Sequence, residues 1–160
     1  MEQTSRKFMS ASMIVGLASA ILILVGILIP MIDLSAFHEK IEIRYNLFKV
    51  CKNVGLISPT WYGIPYGMII GIVAMVILSF VDIPLLKLIP SLIVLAMLLI
   101  MLVDCGNIVE WARDMIERYF RDGVIMVDNA NIWKSFTIGV YFIGAGAVTG
   151  LVSCFCPGRA

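Results

Sequence analysis

Charge is scarce in this chain. Asp, Glu, Lys and Arg make up 14% of it, against about 25% in ordinary soluble domains. The net charge is only +1, so there is no electrostatic footprint for a nucleic-acid partner. Histidine is confined to His38, which removes most metal-ligand sets; no metal and no cofactor is expected. The four cysteines, Cys51, Cys105, Cys154 and Cys156, contain no C-x-x-C pair. A thiol-redox membrane enzyme would carry a closely spaced pair in a loop, whereas Cys154-Phe155-Cys156 is a C-x-C at a helix end. There is no low-complexity tract, no inverted repeat and no acidic residue at the centre of any long apolar run.

What is abundant is apolar. Hydrophobic residues reach 61% with a mean hydropathy of +0.99, against about 45–50% apolar in soluble domains. The chain reads as an integral membrane protein. Tyr66–Val103 organises it, because only Asp82 and Lys87 interrupt that apolar run. It is too long for one crossing and right for two, at roughly 20 helical residues each. Asp82-Ile83-Pro84 is the natural reversal. Lys87 lies one turn from the end of the following span, from which it can snorkel to the interface; Asp82 and Lys87 are read as hairpin-end charges and not as a proton path. Pro90 is expected to kink that span. Ser10–Ile32 follows Arg6 and Lys7 as a signal peptide would. But its 23 uncharged residues exceed the usual apolar core of about 7–15, and no A-x-A end follows. It is read as a membrane anchor.

The expected fold is therefore all-α: one domain, residues 1–160, of four transmembrane helices at about 10–32, 64–82, 84–103 and 135–156. Loops 33–63 and 104–134 then emerge on the same side and form a small cap of short β-strands plus an amphipathic helix. Small residues, which let helix backbones approach in lipid, mark the packing stripes: Ser12, Gly16 and Ala20 in the first span, the G-x-x-x-G of Gly67 and Gly71 in the second, and Gly139, Gly146 and Gly150 in the fourth, which is the candidate central helix.

In the cap, Ile41, Ile43, Tyr45 and Leu47 alternate with Lys40, Glu42, Arg44 and Asn46, the pattern of a half-buried strand, continued by Phe48, Val50 and Cys51. Val124–Val127 is β-prone and could pair with it. Trp61, Tyr62 and Tyr66 stand where an interfacial aromatic belt would lie. Beyond Val103, Ile108, Trp111, Ala112, Met115, Ile116, Tyr119 and Phe120 share one helical face, opposite a charged one. Arg113/Glu117, Asp114/Arg118 and Glu117/Arg121 are four apart and would support that helix. It is either a continuation of the third span or a separate helix, with Gly106-Asn107 as kink or cap. Tyr45, Phe48, Trp61, Trp111, Tyr119 and Trp133 are the candidate cap and interface aromatics.

Orientation cues conflict. The long loops hold eight Lys/Arg and the opposite side four, which on a plain count would put the loops in the cytoplasm. The flanks of the first span, Arg6 and Lys7 before it and Asp33 after, point the other way. Bare flanks weigh more than charges within a folded cap, so both termini are placed in the cytoplasm, with the plasma membrane as the expected location. Cys51 and Cys105 would then meet an oxidising compartment and could pair, with four free thiols as the alternative.

Asn46-Leu-Phe-Lys-Val-Cys51 resembles the G-L-W-x-x-C of the claudin/PMP22-type tetraspan proteins, with Leu47 and Cys51 agreeing, Phe48 for the Trp and Asn46 for the Gly. The order of four spans, short inner hairpin, strand-bearing first loop and helical second loop is similar as well. The family's second loop cysteine has no counterpart between Lys52 and Gly63. The resemblance implies an adhesion, barrier or channel-accessory protein. Three functions remain. The first is a non-enzymatic tetraspan protein associating laterally, through its small-residue faces and cap, with other membrane subunits or with itself in the bilayer. The second is a channel or transporter protomer, which would want ionisable groups at mid-membrane. The third is a membrane enzyme drawing on His38, Glu39, Asp104, Cys105, Glu110 and Asp128; that set reads as a solvated face, and no catalytic residue is assigned.

Overall fold

The computed structural model describes residues 9–37, 40–119 and 126–158. It is mostly helical: α1 (Ala11–Leu28), α2 (Leu47–Val54), α3 (Gly63–Val81), α4 (Leu88–Val103), α5 (Cys105–Tyr119) and α6 (Ile138–Ser153), with one pair of two-residue strands, β1 (Ile32–Asp33) and β2 (Arg44–Tyr45). Three helical stretches, Ala11–Leu28, Pro59–Val81 and Leu85–Val103, are long and apolar enough to cross a membrane. The fourth, expected over 135–156, is helical only over Ile138–Ser153, because Ile132–Ser135 forms a 3-10 turn and Phe136 is extended beyond it.

Local chemistry sets the helix ends. The Ser10 hydroxyl accepts from Met13 N and caps α1, satisfying one of the orphan donors of its first turn. Ile29 is extended, as the residue before a proline prefers. α3 stops at Asp82, whose φ of 60° and ψ of 45° are left-handed. It is the one non-glycine residue with positive φ among those described, and Asp tolerates that conformation better than most. Pro90 does not kink a helix. After the 3-10 turn Leu85–Lys87 it falls in the first turn of α4, where its missing N–H is not needed.

α1, α3, α4 and α6 close a ring in which α1 touches α3 and α6, and α4 touches α3 and α6. Their starts and ends alternate. At one end Ser10 Oγ donates to Asp82 Oδ1 at 2.6 Å and Ser12 Oγ to Ser153 O at 3.0 Å. At the other, Thr137 N donates to Met31 O at 2.9 Å and Trp61 Nε1 to Asp104 Oδ2 at 2.7 Å. Small residues such as Ser12, Gly16, Ser19, Gly146 and Gly150 face inward together with Ile23, Ile27, Met68, Met75 and Met101, while the outer faces are bulky: Ile21, Leu24, Ile70, Ile77, Phe80, Leu92 and Val148 are all exposed. This is the distribution expected where packing, and not exclusion from water, holds helices together.

The two long connections meet at the second end. β1 pairs antiparallel with β2, Ile32 opposite Tyr45 and Asp33 opposite Arg44, and Ile32 also bridges to Phe136. The partner of the first-loop strand is therefore Ile32-Asp33. Residues 124 and 125 of the β-prone run lie outside the described residues, and Met126-Val127 is not a strand. The long strand expected to continue through Cys51 is also corrected. Asn46 Oδ1 accepts from Lys49 N at 3.2 Å and starts α2, whose Leu47, Val50, Cys51 and Val54 are buried. That i, i+3, i+4, i+7 spacing is helical.

Candidate functional site

Two regions concentrate polar chemistry: the cap, and the hairpin end of the bundle. The cap is built on one apolar cluster shared with the bundle, in which Leu34, Leu47, Val50, Trp61, Ile108 and Ala112 pack together. α5 is a separate helix. Asp104 breaks α4 from it with φ −90° and ψ 28°, and the carboxylate holds the indole of the fully buried Trp61. Trp61 is therefore an internal strut and not a belt residue; Tyr62 and Tyr66 are exposed. Tyr45 lies 5.7 Å from Trp111, ring centre to ring centre, with Lys49 Nζ 5.7 Å from the Tyr45 ring. Phe48 points outward, Tyr119 is exposed, and Trp133 is half-exposed with its ring 5.4 Å from Phe136. Of the six candidate aromatics, the fold joins only Tyr45 and Trp111. Phe120 lies outside the described residues.

The charged face of α5 differs from expectation. Neither Arg113/Glu117 nor Asp114/Arg118 closes as an ion pair among the described residues, and Arg121 is outside them. Arg113 instead donates to Val127 O at 3.0 Å, tying α5 to the segment before α6. The described cap does hold an ion pair between Arg44 and Asp33, 2.8 Å apart. Burial pushes the Asp33 carboxyl upward, but the Ser35 hydrogen bonds and Arg44 outweigh it and hold it below the usual carboxylate value.

Cys51 and Cys105 are both free thiols, the alternative to their pairing. Cys51 faces the cap interior at 1% exposed, and burial pushes its thiol up to about 12, so it has almost no thiolate for chemistry. Among the described residues no group of three His, Cys, Asp or Glu is placed to hold a metal ion.

The packing residues are all consumed inside one chain. Ala20 and Ser12 are buried. A methyl group built on Gly146 would lie 2.9 Å from Ile23 N and 3.1 Å from Ser19 O, and one on Gly139 2.8 Å from Pro30 O. Gly150 meets Met75 and Ser19, Gly67 meets Met97, Gly71 meets Val94, and Gly16 meets Ser79 and Lys87. Ser19 Oγ donates to Gly146 O at 2.7 Å. Within the chain these faces join α1 to α3 and α6, α3 to α4, and α6 to α3 and α4.

At the hairpin end, Lys87 corrects the snorkelling expectation. It is fully buried, and its Nζ donates to Ser12 O at 2.8 Å and Ser12 Oγ at 2.7 Å. Ser12 in turn donates to Ser153 O, so one lysine and one serine link α1, α4 and α6. Ser79 Oγ, buried nearby, has no partner among the described residues. Sequence reasoning missed this cluster, because the two residues are 75 positions apart and nothing in either span alone says that they face each other.

No protein-family model matches the chain, and neither a curated protein nor a solved structure does.

Proposed function

We propose that the chain is a non-enzymatic four-span membrane protein, an accessory or adhesion/barrier-type subunit that engages its partner through the cap. One observation supports this most. The cap is a packed body, yet Glu110, Asp114, Glu117 and Arg118 on α5 are exposed and have no hydrogen bond or ion pair among the described residues. A charged face without internal partners is suited to orienting another protein. Because the glycine faces are taken up inside the bundle, lateral association passes to this cap and to the bulky outer faces. The cap is placed outside the plasma membrane, with both termini in the cytoplasm.

The test is assembly size after mild detergent extraction from native membranes. After the mass of bound detergent is subtracted, the wild-type protein should have a mass well above 17.7 kDa. A chain carrying Glu110→Lys, Asp114→Lys, Glu117→Lys and Arg118→Glu should run as a folded monomer. A monomeric wild type, or a reversed variant of unchanged size, refutes the reading. The transporter alternative has one feature in its favour, Lys87 buried in the bundle, since ionisable groups in spans are often functional. Its position in the turn that opens the hairpin, with its bonds directed to Ser12, fits a structural link better.

A further inference from the structure

Where α3 begins and α4 ends, the bundle leaves an open groove of about 510 Å³. It falls in the range of small-ligand sites, about 300–1,000 Å³, which are mostly apolar with a few polar groups that set orientation. Ile64, Met97, Ile100 and Val103 form its walls, and it reaches the bare backbone of Gly63, beside which a Cβ would meet no atom within 4 Å. From Met97 to Asp104 it runs seven residues, about 10 Å along a helix. It opens onto Leu99 and Val103, 50% and 84% exposed, on the face that the four-span reading turns toward lipid.

The rim carries one charged residue, Asp104, and no Lys or Arg lines the groove. Asp104 Oδ2 is occupied by the Trp61 indole, and Oδ1 has no donor among the described residues. An anionic phospholipid headgroup would meet a carboxylate with no cation lining the groove to offset it, an unfavourable approach, whereas a zwitterionic one would bring its own ammonium and is the competitor that the experiment must exclude. A neutral lipid with one hydroxyl donor meets a free acceptor. A rigid occupant also loses little conformational freedom on binding, unlike an acyl chain. We propose that this groove binds a membrane sterol, its hydroxyl donating to Asp104 Oδ1 and its fused rings lying along Val103, Ile100 and Met97. The proposal rests on the membrane-spanning reading and not on the cap's partner.

The experiment uses the full chain in phosphatidylcholine nanodiscs with a photoactivatable cholesterol, and maps labelled peptides by mass spectrometry. Label should fall within residues 97–103 and be competed by unlabelled cholesterol, but poorly by its epimer with an inverted hydroxyl. Gly63→Leu fills the groove from a position of ordinary helical φ, −75°, with nothing to clash against. It should cut labelling at least about tenfold, a loss of about 1.4 kcal/mol of binding, while the unfolding midpoint stays or rises. Labelling that survives Gly63→Leu, equal competition by the epimer, or competition by phosphatidylethanolamine equal to that by cholesterol would overturn the proposal. A chain that enters nanodiscs but takes no specific label refutes the sterol site alone. A chain that does not enter them refutes the spanning reading as well.

Discussion

Gly146→Ala tests whether the glycine faces hold one chain together or join two. The added methyl would sit 2.9 Å from Ile23 N and 3.1 Å from Ser19 O. Both are backbone atoms of α1, which cannot rotate away, so α6 must move off α1. Overpacking of this kind typically costs about 1–3 kcal/mol. The same movement stretches the 2.7 Å bond from Ser19 Oγ to Gly146 O; such bonds between membrane helices average about 0.6 kcal/mol. Replacing helical Gly by Ala returns roughly 0.5–1 kcal/mol. The net loss is about 1–3 kcal/mol. The controls are Gly63→Ala and Gly106→Ala, where nothing lies within 4 Å of the new methyl and φ is not positive. These should be neutral, or stabilising by about 0.4–1 kcal/mol. The assay is titration with denaturing detergent in mixed micelles, read by tryptophan fluorescence, with the buried Trp61 and Trp111 as reporters. If Gly146→Ala unfolds with the controls and instead converts a dimer to a monomer, the face is intermolecular and the packing argument fails.

Lys87→Met keeps the volume but removes the buried charge. Losing its bonds to Ser12 should cost about 1.5–3 kcal/mol, and Lys87→Ala should cost about 2–5 kcal/mol more through the cavity it leaves; equal losses in the same titration would show that packing of the lysine stem contributes nothing. Trp61→Phe removes a hydrogen bond to a charged acceptor and should cost about 1.5–3 kcal/mol, and an unchanged midpoint would remove the strut role. In the folded protein a maleimide should react with the half-buried Cys105 and spare Cys51, whose pKa near 12 leaves it protonated; rapid Cys51 modification would contradict its burial. Asp33 titrates below its ordinary value, so its contribution is fully present above the unfolded pKa of about 4 and is lost as pH falls through the lower folded value. Arg44→Gln should flatten that acid limb while changing neutral stability by less than about 1 kcal/mol, since Arg44 is exposed.

The bundle was legible because its signals are long. The apolar runs on either side of Asp82-Ile83-Pro84 are each long enough for a helix of about 20 residues, and that tripeptide marks the reversal. The cap was less so. Ile41, Ile43 and Tyr45 alternate, and carrying that rhythm through Leu47 hid a second one, in which Asn46 caps Leu47, Val50, Cys51 and Val54; the helix-start rule would have found it. The Trp61–Asp104 and Lys87–Ser12 contacts were out of reach in principle. Each joins residues more than 40 positions apart, and which way each points depends on helix rotations that the packing of Gly16 and Gly146 decides. The small residues were recognised as contact surfaces, but a stripe does not say whether its partner lies in the same chain.

The pairing of α1 with α6 also sets a timetable. Between Leu28 and Ile138 lie 109 residues, roughly 5 to 20 s of synthesis at ordinary ribosomal rates. For that interval the face of α1 formed by Ser12, Ser19, Ile23 and Gly26 waits without the helix that covers it. Any chain cut short before Ile138 keeps it open for good. Quality control that detects an uncovered notch lined by serine hydroxyls would thus have a mark by which to know an unfinished copy, and that mark disappears when the last helix arrives.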